Sequence, residues 1–296
     1  MDGRAAESWV AQQFGLRIAE VAISTLERGG VRCLPVKGLL LGRQVYDPAL
    51  RRISDVDLLI ARSDFRRALA IARTSGWGLI WDSKLTESVN FIIEGFAIDV
   101  KTSLGPRGVS AITVPDVLSR ARRAQSPLGF SHWQIELHDH ALLLAIDAFK
   151  DKLGAGKPWA RDDLVRIGAV QGFSPATLVE RAIDARLATM LAIVAEWVLA
   201  ASPSPTWMSV HALLASLPLR LGFVQRYQRS VGSRSSPRWQ RWYLSALTRA
   251  VSDSKRQRVL ALVLGAVGTA KYLARHRGLG TDPWRVISRR ARIAFL

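Results

Sequence analysis

Residues 54–57 read Ser54-Asp55-Val56-Asp57, and the apolar run Leu58-Leu59-Ile60 follows directly. In a strand over Asp55 to Ile60, positions i and i+2 project from one face. The carboxylates of Asp55 and Asp57 then stand side by side at its start. Two carboxylates at that distance repel, and a cation between them removes the repulsion. Mg²⁺ suits such a pair, because it prefers oxygen ligands and is often held by one or two carboxylates plus substrate phosphates. A third acid, Asp99, lies in Ala97-Ile98-Asp99-Val100, a later strand of the same expected sheet that neighbouring pairing would bring beside the pair. Upstream, Lys37-Gly38 falls where a first strand ends and a helix begins. A glycine there lets backbone amides approach a phosphate, and a helix start favours an anion.

The elements that must position these residues are legible in the pattern of apolar side chains. Trp9, Val10, Phe14, Ile18, Val21 and Leu26 recur at roughly helical spacing, which predicts a helix over 5–28 ended by Gly29-Gly30. A short strand is expected over Val31 to Val36, a helix over Gly38 to Val45 and a turn at Asp47-Pro48. A helix over about 64–75 is expected after an N-cap at Ser63-Asp64. Strands are expected over Gly78 to Trp81, Ser88 to Ile93 and Phe96 to Val100, with a hairpin signal at Glu94-Gly95. Beyond about residue 135 only helices are expected: His138 to Leu153, Arg161 to Val170, Pro175 to Ala200, Met208 to Leu217, Gln240 to Val251, Lys255 to Ala274 and Trp284 to Ile293. The fold class is therefore α+β: a mixed sheet with helices over 1–134, then an all-helical part over 135–296.

The stretch Leu34-Pro35-Val36-Lys37-Gly38, then Tyr46-Asp47-Pro48, Arg51 and Ser54-Asp55-Val56-Asp57-Leu58-Leu59-Ile60, resembles the uncharacterised nucleotidyltransferase family of the DNA polymerase beta-like superfamily. The likeness is closest over residues 30–62 and extends to about 104. It implies a polymerase beta-like catalytic domain that transfers a nucleoside monophosphate from a nucleoside triphosphate, with two Mg²⁺ or Mn²⁺ ions. Carried over by position, Asp55, Asp57 and Asp99 would be the catalytic, metal-holding carboxylates. Lys37, Gly38, Arg51 and Ser54 would bind the nucleotide. Lys150 and Lys152, with Asp162-Asp163, resemble residues that relatives place on their first helices after the sheet to hold triphosphate and base; the other reading is an exposed helix face of paired charges. The chain departs from the family in two places: Lys101 stands where a histidine often follows the third acid, and Asp147 where a later helix often has one.

The chain has 296 residues, 49 % of them hydrophobic and 22 % charged, which excludes a disordered or low-complexity protein. The one cysteine, Cys33, excludes a disulfide framework and a multi-cysteine zinc site. It is expected to be buried. No secretory signal pattern is visible, and the longest uncharged apolar run near the C-terminus, Val259 to Ala270, has 12 residues against the roughly 20 a membrane span needs. A cytoplasmic location is the expectation. The net charge is +18, and residues 201–296 hold fifteen Arg and two Lys against Asp253 and Asp282. Such a block suits a polyanion, with Trp239, Trp242 and Trp284 interleaved for stacking. RNA, including a tRNA end, is one acceptor this allows; a peptide or small molecule is the other, and peripheral contact with an anionic membrane also fits. His132, His138 and His140 invite a metal site, but positions i and i+2 of a helix do not face each other. Capping or surface roles are expected for them. The rival to an enzyme is a catalytically silent module of the same fold that binds RNA, membrane or a partner protein through its basic half. Asp99 far from the Asp55/Asp57 pair would favour that rival.

Overall fold

The computed structural model describes residues 3–47, 50–51, 53–83, 88–151, 153, 159–232 and 246–275. Two compact units are present: one comprises residues 1–104, 112–141 and 166–173, the other 105–111, 142–165 and 174–296.

The first unit is built on a five-stranded mixed sheet of order β1-β2-β5-β4-β3, with β1 Cys33–Val36, β2 Asp55–Ile60, β3 Gly78–Ser83, β4 Ser88–Ile93 and β5 Phe96–Lys101. β2 lies antiparallel to β1 and parallel to β5. Paired on both edges, β2 is apolar almost throughout, with Val56, Leu58, Leu59 and Ile60 at most 1 % exposed. β4 alternates, burying Val89, Phe91 and Ile93. Glu94 and Gly95 join β4 to β5 with positive φ at both residues (49° and 82°), as a tight type I′ hairpin requires.

Helix α1, Gly3–Arg28, packs against α2 (Gly38–Gln44), α3 (Phe65–Thr74), β1 and β2. The stripe it buries matches only part of the one expected from its large side chains: Ile18 and Leu26 belong to it. Trp9, Val10 and Val21 are exposed, and Ile18, Ala19, Ala22, Ile23 and Leu26 are fully buried. The alanines let the helix approach closely, a contribution that counting bulky residues overlooks. At Gly42 of α2 a Cβ would lie 2.9 Å from Gln12 Nε2, and that buried amide donates 3.0 Å to the Gly42 carbonyl. Asp64 stands at the expected N-cap position of α3 but makes no side-chain cap hydrogen bond. A 3-10 turn, Arg62–Asp64, leads into α3, and no side chain caps it.

Three elements of this unit and one of the second carry weak periodic signals. Helix α4, Val114–Arg120, starts at a capping box in which Asp116 accepts from the Thr113 backbone and hydroxyl. Strands β6 (Arg122–Ala124) and β7 (His132–Gln134) form a three-residue ladder. In the second unit, Leu221–Gly232 is helical (α10) and buries Phe223, Val224 and Tyr227.

The second unit is helical in every element described: the later part of α5 (Leu137–Lys150), most of α6 (Trp159–Gly168), α7 (Pro175–Asp184), α8 (Ala188–Leu199), α9 (Pro205–Ala215), α10 and α11 (Lys255–Arg275). α7 and α9 both begin Ser-Pro. Ser174 accepts from Thr177 N at 3.2 Å and Ser204 from Trp207 N at 3.5 Å, with proline fitting the first helical position. The single helix expected over Pro175 to Ala200 is two. Arg186 takes φ 60° between α7 and α8, and its carbonyl accepts from Asp253 N (2.7 Å) and Ser252 Oγ (3.1 Å). Those bonds hold a left-handed residue that the apolar pattern runs straight through. Trp207 is fully buried and donates 2.9 Å to the Leu164 carbonyl. Among the described residues no helix is long and apolar enough to cross a membrane. The expected helix Trp284 to Ile293, and Trp239, Trp242 and Trp284, lie outside the described residues.

Candidate active site

The carboxylates meet on one face of the sheet. Asp57 of β2 stands in register with Asp99 of the parallel strand β5, and Asp55 pairs with Ala97 two positions earlier. On both strands the intervening residues, Val56 and Leu58 on β2 and Ile98 and Val100 on β5, are fully buried, so the opposite face carries Asp55, Asp57, Asp99 and Lys101. Asp99 is therefore beside the pair, not remote from it. β1 ends next to them: Val36 pairs with Asp57 and leads directly into Lys37-Gly38.

Two ammonium groups answer this charge. Asp57 Oδ1 accepts from Lys101 Nζ at 2.7 Å and from Lys37 Nζ at 3.1 Å. Lys101 also reaches Asp99 Oδ2 at 2.5 Å. Asp57 is buried, and carboxylates removed from water require such partners. Asp55 has a weaker arrangement. Its carboxyl is pushed above the usual carboxylate range, chiefly by burial and then by the Asp57 charge. The Ser54 hydroxyl, 3.1 Å away, and the charges of Lys37 and Lys101 act against that rise.

The Lys37-Gly38 turn is strained. Lys37 sits at φ 60°, ψ −131°, a region that side chains with a Cβ rarely enter and that costs about 1–3 kcal/mol. The compensating bond comes from α5: the Lys37 backbone N–H donates to His140 Nε2 at 3.0 Å. His140 is 1 % exposed, and burial followed by the Lys37 charge pushes its pKa down to about 3. It is thus a neutral acceptor. Arg51 lies near the turn, its guanidinium 3.7 Å from where a Cβ on Gly38 would stand.

The surface roles expected for the histidines are not observed. His132, His138 and His140 are all buried. His138 Nδ1 lies 2.6 Å from Glu136 Oε1, and His132 Nδ1 is 2.8 Å from the Phe130 carbonyl. The cap of α5 is Glu136, whose Oε2 accepts from the backbone of His138 and Asp139, each at 3.0 Å. Asp139, buried in the same turn, accepts from Arg120 Nε at 2.7 Å and Nη2 at 2.9 Å. Sequence reasoning missed the link from His140 to Lys37, since 103 residues separate them. In the second unit, Lys150 pairs with Asp147 at 2.7 Å on its own helix. Lys152 lies outside the described residues.

No curated protein matches this chain. Among solved structures, the antibiotic-resistance factor ANT(2'')-Ia in solution is similar at 10 % identity and a TM-score of 0.36, covering 74 % of this chain and 98 % of that one. A crystal structure of ANT(2'')-Ia with adenylyl-2''-tobramycin is similar at 10 % identity and a TM-score of 0.34, covering 68 % and 97 %. A tRNA nucleotidyltransferase complexed with a primer tRNA and an incoming ATP analogue is similar at 10 % identity and a TM-score of 0.29, covering 87 % and 84 %. The family described as uncharacterised nucleotidyltransferase matches residues 5–198, nearly two thirds of the molecule and all of the site above, and this chain belongs to it.

Proposed function

We propose that this protein transfers a nucleoside monophosphate from a nucleoside triphosphate to a hydroxyl or phosphate acceptor, with Asp55, Asp57 and Asp99 as its catalytic carboxylates. The observation that carries the reading is the register of Asp57 with Asp99 on the face that also bears Asp55. Phosphoryl-type transfer asks the protein mainly for positioning and charge stabilisation, and rigid paired strands supply the first. An acceptor oxygen attacks the α-phosphorus, the bond from that phosphorus to the bridging oxygen breaks, and pyrophosphate leaves. The acceptor's proton passes to Asp99. Lys37 and Arg51 flank Gly38 and would meet the negative oxygens of the triphosphate, with the small Gly38 allowing close approach. Ser54 would assist from the neighbouring position.

The donor set fits a hard divalent ion: three carboxylate side chains share one face, and lysines pair with Asp57 and Asp99 but not with Asp55. Asp55 and Asp57 would hold Mg²⁺ or Mn²⁺. Such an ion, when bound, activates the acceptor oxygen or neutralises the leaving pyrophosphate. As the side chains stand, no three acids, histidines or cysteines among the described residues converge into a metal cluster, and Lys101 lies between Asp57 and Asp99.

The acceptor is RNA, or else a peptide or small molecule. The basic excess of residues 201–296 supports a polyanion. Binding of total RNA that weakens steeply with salt would support the first class, and salt-insensitive or absent binding the second. The reading as a whole is tested by incubating the protein with α-labelled triphosphates and cell extract, with Asp55→Ala/Asp57→Ala as the control.

A further inference from the structure

We propose that Lys101 is a resident cation of this site, taking the place between Asp57 and Asp99 so that the protein uses one divalent ion, held by Asp55 and Asp57, in place of two. The proposal rests on the nucleotidyltransferase reading and deepens it.

Three observations converge on Lys101. It follows Asp99 by two residues on β5, so its side chain leaves the sheet on the carboxylate face without any distortion of the strand. Its ammonium bridges two acids from different strands, at 2.7 Å to Asp57 and 2.5 Å to Asp99. Both acids are largely buried, with side chains 9 % and 17 % exposed, and Lys101 itself is 26 % exposed, so the three-membered cluster is only partly screened by water. A cation between two such acids offsets their mutual repulsion.

Charge accounting on the face agrees. Three carboxylates meet the two ammoniums of Lys101 and Lys37, and both ammoniums contact Asp57. Asp55 is the acid of the three with no lysine pairing among the described residues; its partner is the Ser54 hydroxyl at 3.1 Å. The place where an added cation gains most is therefore beside Asp55. A second divalent ion between Asp57 and Asp99 would have to expel Lys101 from two ion pairs and approach the positive charge of Lys37. An ammonium also offers three donors. The two carboxylates take two of them, and in the proposed reaction the third meets an oxygen of the substrate.

The test counts ions directly. Mn²⁺ is titrated into the full-length protein and followed by electron paramagnetic resonance, alone and with each of four non-hydrolysable triphosphates. Wild type is expected to bind one Mn²⁺ per chain. Lys101→Met is expected to bind two, Lys101→Arg one, and Asp99→Asn one, since Asp99 serves Lys101 and not the ion. Should Lys101→Met fail to fold, the Lys101→Arg and Asp99→Asn counts decide. Two ions in wild type, or an ion lost in Asp99→Asn, would overturn the proposal. Wild type taking up neither Mn²⁺ nor any triphosphate would overturn the underlying nucleotidyltransferase reading, and this inference with it.

Discussion

Replacing His140 by leucine removes the acceptor that holds the Lys37 backbone in its strained conformation. Two separable effects follow. A buried N–H left without a partner costs about 1–3 kcal/mol, so the variant is less stable than wild type near neutral pH. The second effect appears in acid. His140 titrates at about 3 in the folded chain against an ordinary 6.5, so below 6.5 the unfolded chain binds a proton that the folded chain refuses. Stability contributed by this group is complete above 6.5 and is lost as the pH falls towards 3. At about pH 5 the loss comes to ~2 kcal/mol from this one residue. His132, also buried and also held below its usual value, pushes in the same direction. Denaturant unfolding at about pH 7.5 and about pH 5 measures both effects. His140→Leu should start lower and then lose ~2 kcal/mol less than wild type on acidification. His140→Gln, whose Oε1 can accept the same N–H, should recover much of the neutral-pH stability while also losing the acid sensitivity. A leucine variant as stable as wild type at neutral pH, with the same loss in acid, would refute the assignment of His140 as the neutral anchor of this turn.

Other consequences can be checked independently. Gly108→Ala puts a Cβ 2.9 Å from the Ala261 backbone nitrogen at a residue with φ 81°, and should lower the melting temperature by an amount equivalent to more than ~1 kcal/mol. Ser174→Ala removes the cap of α7 and should cost ~1 kcal/mol in denaturant unfolding. Trp207→Phe leaves the buried Leu164 carbonyl without its indole donor and opens space beside it, a loss of at least ~1–3 kcal/mol in the same assay. Asp57→Asn should abolish transfer, and it should destabilise the chain as well, because Lys37 and Lys101 both lose their charged partner. A stable but inactive Asp57→Asn would show that the ion pairs carry no folding energy.

The site was legible where chemistry sits inside a strong period. β2 has the bounds its apolar run announces, and the i, i+2 rule puts Asp55 and Asp57 on one face. Asp99 could be nominated from its strand, but its register against Asp57 is a pairing choice between distant segments. Lys101 was visible only as a lysine at a position where relatives often carry histidine. That it closes an ion pair across two strands follows from the parallel register, which no local pattern encodes. The expected burial of Cys33 is observed, since β1 is covered on both faces. The histidines failed differently. Their spacing excluded a shared face of a helix, yet each is buried with a separate partner. Arg186 breaks a helix because residues 252 and 253 bind its carbonyl, and β6 and β7, three residues each, are too short to show a period.

The central claim is nucleotidyl transfer, and α-labelled triphosphates test it most directly. The protein is incubated with each of the four, Mg²⁺ or Mn²⁺, and total RNA plus cell extract, beside Asp55→Ala/Asp57→Ala. Label should move into a distinct species with wild type and not with the double variant, and the labelled species identifies the acceptor. No transfer together with no triphosphate binding by the folded wild type would contradict it.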